Sequence, residues 1–225
     1  MEDLEQLLIS NNFTRTQLPK SKPLVVHAVA GAGKTSVIKA FTNSHPELKC
    51  CTLGPPQPAN LLNTHLTNPS PGESYFIVDE YCAGDYPTAA CLFCDPLQYS
   101  TPALQPHYVK FESQRFGKTT AQFLNKLDLP VYSHREDTVS VGCAYSLDPI
   151  GPVIAFQPEV ISILNQHSID FSLPCQVIGK TFETTTVYTT SISDLSPLSP
   201  DSYISLTRHS KQLQILTFDA NLSTN

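Results

Sequence analysis

A glycine-rich turn near the start of the chain is followed by a lysine and then by a hydroxyl side chain. Gly31-Ala32-Gly33-Lys34-Thr35 comes directly after the mainly apolar run of residues 24–30, which is the order of a strand, a phosphate-binding loop and a helix. Lys34 can neutralise nucleotide β- and γ-phosphates, and the Thr35 hydroxyl can ligate Mg²⁺. Ala28 stands where the pattern G-x-x-x-x-G-K-[ST] has its first glycine. The residues that we predict to bind nucleotide are Ala30, Gly31, Ala32, Gly33, Lys34, Thr35 and Ser36.

Two adjacent carboxylates follow a second apolar run. Residues 75–78 are β-prone and are followed directly by Asp79-Glu80. In phosphate-loop enzymes an aspartate at such a strand end holds Mg²⁺, and a neighbouring group orients or polarises the attacking water. We therefore predict that Asp79 and Thr35 are the metal ligands and that Glu80 is the general base.

A third apolar run, residues 89–94, ends in Asp95-Pro96-Leu97-Gln98. We expect Gln98 to contact the γ-phosphate, whereas Asp95-Pro96 by itself is typical of a turn. All three groups of chemically active residues follow strands that alternate with helical or loop segments. This pattern predicts an α/β fold with a parallel sheet and a ligand above the carboxyl edge of its strands.

The second half of the chain repeats this alternation. We place the boundary near Glu112, giving two lobes, residues 1–112 and 113–225. The tail from residue 219 onward is predicted to be frayed. Helices are predicted over residues 4–12, 34–45, 116–127, 160–166 and 203–208, and strands over residues 49–53, 75–78, 89–94, 153–156 and 213–218. Residues 175–179 and 184–189 are predicted to bracket a turn.

Composition limits the partners and the compartment. The net charge is −6 and no lysine- or arginine-rich tail is present, so RNA binding would use a narrow cleft. Cys91 and Cys94 form a C-x-x-C without a second ligand pair at zinc spacing, which favours buried strand thiols. The acidic start is unlike a secretory signal, and no apolar run approaches the ~20 residues of a membrane span. We therefore expect a cytosolic protein.

The order of these motifs resembles that of the superfamily 1 helicases of positive-strand RNA viruses. Residues 112–116 resemble the fourth helicase motif, and residues 175–182 resemble the fifth. Residues 206–211 resemble the sixth. The resemblance implies that Arg115 and Arg208 reach the γ-phosphate, and that residues 52–54 and 179–182 touch the RNA backbone.

Residues 22–34 resemble, more closely still, the first proteins of the potexvirus triple gene block, which are plant-virus movement proteins of similar length. The resemblance implies two RecA-like parallel-sheet lobes of a superfamily 1 helicase core, without large accessory insertions. The catalytic residues that it implies, together with the motifs above, are Lys34, Glu80, Gln98, Arg115 and Arg208. It also implies ATP and Mg²⁺ as cofactors.

The same resemblance implies an RNA-stimulated ATPase with helicase activity that carries viral RNA from cell to cell through plasmodesmata and suppresses RNA silencing. Expected partners are single-stranded viral RNA, the viral coat protein, the two small membrane proteins of the triple gene block, host silencing factors and further copies of the chain. The expected location is the host cytoplasm, with plasmodesmata and inclusion bodies.

Two other functions remain open from the residues. A small phosphotransferase would have an arginine-rich lid soon after its central strands, whereas Arg115 and Arg208 lie far apart in the chain. A nucleotide-binding interaction protein could act on host silencing factors without motor activity. Hydrolysis stimulated by single-stranded RNA separates a motor from both of these alternatives.

Overall fold

The alternation of buried apolar runs with helices builds two sheets, one in each of two units. The computed structural model describes residues 1–56 and 66–219. Its units are Met1–Glu112 and Ser113–Asn225. Apart from Asp219, the tail that we predict to be frayed lies outside the described residues.

The first unit contains a six-stranded sheet with the strand order β1-β6-β2-β5-β4-β3, in which every neighbouring pair except β1–β6 is parallel. Every residue of β2 is buried, because a central parallel strand is covered on both faces, and all of its residues except His27 are apolar. Its elements are α1 (Glu2–Ser10), β1 (Thr14–Arg15), β2 (Leu24–Ala28), α2 (Lys34–Ser44), β3 (Cys50–Thr52), β4 (Tyr75–Asp79), β5 (Ala89–Cys94) and β6 (Tyr108–Lys110).

The second unit contains a four-stranded sheet with the order β7-β10-β9-β8, in which all pairs are parallel. Its elements are α3 (Lys118–Asn125), β7 (Thr138–Cys143), β8 (Val153–Ile154), α4 (Pro158–Gln166), α5 (Pro174–Val177), β9 (Phe182–Thr189), α6 (Pro200–Leu206) and β10 (His209–Thr217). The predicted α/β class with parallel sheets is therefore confirmed.

Several predicted boundaries are wrong. The strand predicted over residues 153–156 ends at Ile154, because the chain must leave the sheet to begin α4 at Pro158. The helix predicted over residues 203–208 begins at Pro200 and ends before Arg208, which lies between α6 and β10. The first four residues of β10 were not predicted as strand, and β1, β6, β7 and α5 were missed altogether.

Cys91 and Cys94 are fully buried in β5. The prediction that this C-x-x-C consists of strand thiols is therefore confirmed. Among the described residues, no helix is both long and apolar enough to cross a bilayer.

Candidate nucleotide-binding and hydrolysis site

The loop between β2 and α2 has the backbone conformation of a phosphate cradle. Gly31 and Gly33 have φ angles of 76° and 91°, which glycine adopts at little cost and L side chains rarely adopt. A Cβ on Gly33 would meet no atom within 4 Å, so the backbone angle rather than crowding requires glycine here. Helix α2 starts at Lys34, and its first N–H groups lack partners within the helix. They supply the positive field that binds phosphate.

Lys34 folds back over the end of β2. Its Nζ donates to the carbonyl oxygen of Ala28 at 3.0 Å and lies 3.9 Å from Oε1 of Glu80. Burial lowers the pKa of Lys34, but the nearby carboxylates of Glu80, Asp95 and Asp79 outweigh burial and leave the pKa raised. The buried ammonium group is therefore charged at neutral pH, as phosphate binding requires.

Asp79 is the last residue of β4 and is only 3% exposed. Its Oδ1 accepts a hydrogen bond of 3.0 Å from the backbone N–H of Glu80. Burial raises the pKa of Asp79, and the negative charge of Glu80 raises it further, while Lys34 opposes both. A buried carboxylate in this state gains strongly from a bound cation.

Glu80 occupies the left-handed region with a φ angle of 55°, which is uncommon for a residue with a side chain and is concentrated at functional sites. Its Oε2 lies 4.0 Å from the thiol of Cys94, and its carboxylate is hydrogen-bonded by the Tyr99 hydroxyl. Burial raises the pKa of Glu80 and Asp95 adds to the effect, against the pull of Lys34. A carboxylate with a raised pKa is a better proton acceptor than an ordinary one.

Asp95 is a third carboxylate at this edge of the sheet, and it is completely buried. Its Oδ1 accepts from the backbone N–H of Leu97 at 3.3 Å, and its Oδ2 accepts from the side-chain amide of Gln98 at 2.9 Å. The carboxylate therefore holds Gln98 in one orientation while adding negative charge around Lys34.

Arg115 and Arg208 meet at one residue of the second unit. Arg115 Nη1 donates to the carbonyl oxygen of Thr207 at 3.3 Å, and Arg208 Nη2 donates to the Thr207 hydroxyl at 3.1 Å. Arg208 Nε also donates to the carbonyl oxygen of Ile204, and its side chain is 1% exposed. The structure therefore brings together two arginines that are distant in sequence.

The other predicted residues range from buried to exposed, and Ala30, Ala32 and Thr52 are buried. Thr35 is half-buried and Ser36 is exposed in the first turn of α2. Residues 179–181 are exposed, and Gly179 has a φ angle of 78°. In residues 52–54, the N–H of Gly54 donates to the Thr52 hydroxyl at 3.0 Å. Their roles remain predictions.

A profile of the viral superfamily 1 RNA helicase core domain matches residues 24–217. The "Movement and silencing protein TGBp1" of Indian citrus ringspot virus is 40% identical over 221 residues, covering 97% of each chain. The protein of the same name from Strawberry mild yellow edge-associated virus is 40% identical and covers 98% of this chain and 97% of its own. This chain belongs to the TGBp1 family. The family predicted from residues 22–34 is thus confirmed, and so is the superfamily 1 helicase fold predicted for this TGBp1-family chain from its motif order.

Solved helicase structures give a more distant comparison for the TGBp1-family chain. A complex of Arterivirus nonstructural protein 10 (helicase) with DNA is 13% identical, with a TM-score of 0.49, and covers 95% of this chain and 56% of its own. A second structure of that helicase is 16% identical with the same TM-score and covers 96% and 57%. The chain spans little more than half the length of these helicase chains.

Asp95 is the residue of this TGBp1-family site that was missed as a site residue. Its signal was present, because Asp95 directly follows a buried apolar strand, as Asp79 does. The following proline favoured a turn, and a turn does form, with Asp95 as the N-cap of a short 3₁₀ segment, Pro96–Gln98. The same carboxylate thus caps a turn and contributes to the charge cluster.

Proposed function

We propose that this chain is an ATP-hydrolysing, RNA-stimulated motor protein of virus movement. The observation that carries the proposal is the charge cluster beside the glycine cradle, in which one buried lysine is surrounded by Asp79, Glu80 and Asp95. A structural ion pair would need one carboxylate. Three carboxylates around one cation, two of them with raised pKa values, are typical of a site that binds a metal and moves a proton.

The residues present fit a Mg²⁺–nucleotide. The backbone of residues 30–36 and the ammonium group of Lys34 would hold the phosphates, and Thr35 and Asp79 would hold the metal. When bound, Mg²⁺ neutralises charge on the β- and γ-phosphate oxygens. Glu80 would accept a proton from the attacking water, and Gln98 would orient that water or contact the γ-phosphate. We assign Arg115 and Arg208 the stabilisation of charge in the transition state.

The biological role is proposed from the relatives, whose printed names are movement and silencing proteins. We propose that the chain carries single-stranded viral RNA between cells through plasmodesmata and suppresses RNA silencing in the host cytoplasm and its inclusion bodies. Residues 52–54 and 179–182 would contact RNA. The proposed partners are the coat protein, the two small membrane proteins of the triple gene block, host silencing factors and further copies of the chain.

The test is steady-state ATP hydrolysis with and without single-stranded RNA, for the wild type and for Glu80→Gln. The substitution keeps the shape of the side chain and removes the base, so turnover should fall by ~10²–10⁴-fold while ATP binding persists. The matched control is Glu73→Gln, which alters a partly exposed glutamate of the same unit paired with Lys49. A wild type without turnover, or a Glu80→Gln variant with normal turnover, would contradict the proposal.

The same variant separates motor activity from simple interaction in the cell. A Glu80→Gln protein that still suppresses silencing but no longer moves RNA would assign hydrolysis to movement alone. Loss of both activities would tie silencing suppression to the motor as well. Cell-to-cell spread and reporter silencing in leaves measure the two outcomes.

A further inference from the structure

Asp137 is a buried carboxylate that caps the helix following Arg115. Its Oδ2 accepts from the backbone N–H of Gly117 at 2.7 Å, and its Oδ1 accepts from the N–H groups of Thr119 at 2.9 Å and Thr120 at 3.3 Å. Its side chain has no exposed surface. The first turn of α3 is therefore fixed by a residue that lies just before β7 and beyond the other end of the helix in sequence.

The same carboxylate reaches the residue that follows Arg208. His209 Nε2 lies 3.3 Å from Oδ2 of Asp137 and 2.8 Å from the Thr120 hydroxyl. A carboxylate oxygen only accepts, so we place the proton on Nε2. Burial acts to raise the pKa of Asp137, but hydrogen bonds from His209, Thr120 and the backbone outweigh it and hold that pKa well below its usual range.

Two hydrogen-bonded links thus join the segments that carry the arginines. The first link is Thr207, which accepts from both guanidinium groups. The second is Asp137, which ties Gly117, two residues after Arg115 and just before α3, to His209, directly after Arg208 at the start of β10. Moving either arginine segment relative to the other would break hydrogen bonds of a buried carboxylate, which is costly.

We propose that Asp137, acting through His209 and the first turn of α3, is a positioning residue that fixes Arg115 and Arg208 relative to each other for hydrolysis. The inference rests on the proposed function, because it assumes that the arginines act in the transition state. A second feature supports it. Among the described residues, His209 Nδ1 is one of two buried side-chain polar atoms without a hydrogen-bond partner. An unpaired buried atom costs stability, and the Nε2 contacts with Asp137 and Thr120 offset that cost.

The first experiment compares Asp137→Asn with the wild type. Asparagine has the same shape but carries no charge. Its NH₂ group would face backbone N–H donors that meet a carboxylate oxygen in the wild type. Displacing reacting groups by about 1 Å can cost up to ~10²-fold in rate, so we expect kcat for ATP to fall by about 10- to 100-fold. The KM for ATP should stay unchanged. The matched control is Glu136→Gln at the neighbouring position, where the side chain is 80% exposed and paired with Lys118.

Asp137 could also act simply as a helix cap that stabilises the second unit. The decisive measurement is therefore whether the effect of Asp137→Asn depends on an arginine. Single-turnover hydrolysis is measured for Asp137→Asn in the wild-type and Arg115→Ala backgrounds. If Asp137 acts through the arginines, its effect should shrink to within about 2-fold once Arg115 is gone, because interacting sites are not additive. An equal fall in both backgrounds would assign Asp137 to stability alone and overturn the inference.

A second variant covers the case in which Asp137→Asn does not fold. His209→Gln leaves the three backbone hydrogen bonds of the cap in place and changes only the link to β10. It should lower kcat and show the same coupling to Arg115, and unchanged kcat would overturn the inference. A wild type without turnover overturns the proposed function and this inference with it. If the wild type is active and the variants have the same kcat, only the positioning role is overturned.

Discussion

Replacing Lys34 with methionine tests the charge cluster independently of any activity. The substitution removes the cation and leaves three carboxylates at a buried sheet edge. Lys34 Nζ and Glu80 Oε1 are 3.9 Å apart, and at an effective dielectric constant of about 20 such charges attract by about 4 kcal/mol. Breaking one partner out of a buried pair costs about 3–5 kcal/mol. We therefore expect Lys34→Met to lower the free energy of unfolding by about 3–4 kcal/mol at neutral pH.

The loss should depend on pH in a defined direction. The folded-state pKa values of Asp79 and Glu80 are raised, so the folded chain binds protons more readily than the unfolded chain between about pH 4 and the folded pKa. Stability from this source is present at low pH and is lost as the pH rises. Lys34 lowers both pKa values, so its removal raises them further. The deficit of Lys34→Met should therefore be smaller near pH 5 than near pH 7.5.

Urea unfolding followed by circular dichroism at both pH values measures the effect. Lys49→Met is the control, since Lys49 also pairs with a glutamate but is 62% exposed, and water screens such pairs. Adding Glu80→Gln to Lys34→Met should recover part of the loss, because it removes one unpaired carboxylate. Equal losses at both pH values, with no recovery in the double variant, would refute the role assigned to the cluster.

Two further predictions concern turnover and RNA. Arg115→Ala and Arg208→Ala should each leave equilibrium ATP affinity nearly unchanged and lower the rate of ATP hydrolysis by roughly 10³-fold or more. A normal rate in both variants would exclude the second unit from the reaction. RNA affinity should depend only moderately on salt, because the chain is acidic and each neutralised phosphate adds about −0.7 to the log–log slope for single strands. Dissociation constants for unrelated single strands from low to physiological salt test this, and a steep slope or a strong sequence preference would contradict it.

The parts of the fold that could be predicted are those in which each segment's residues determine its structure. Strands β2, β4 and β5 were found because strands covered on both faces are nearly continuous apolar runs, and the cradle was found because Gly31 and Gly33 permit positive φ angles. Strand β7 was missed although Val139, Val141 and Cys143 alternate with small or polar residues. Every residue of this edge strand is exposed or half-buried, so it lacks the long apolar run by which the central strands were found.

Contacts between distant residues could not be predicted from the motifs. The shared contact at Thr207 and the contact of Asp137 with His209 join residues separated by most of the second unit. No local pattern predicts such pairs, because they depend on how β10 lies beside β7. The raised pKa values depend on the same packing, since burial is their first cause; the adjacent Glu80 raises the pKa of Asp79 further, and Asp95 raises that of Glu80.

The hydrogen bond between Asp95 and Gln98 determines which way a carboxamide faces. Glutamine oxygen and nitrogen are nearly indistinguishable in shape, and their assignment follows from their partners. Because the Asp95 carboxylate only accepts, the amide nitrogen of Gln98 must face it, and the amide oxygen lies on the opposite side of the group. That oxygen can accept a hydrogen bond from water but would repel a phosphate oxygen. Any direct contact of Gln98 with phosphate therefore uses its second N–H. The carboxamide can distinguish water from phosphate, because its oxygen can meet only the water.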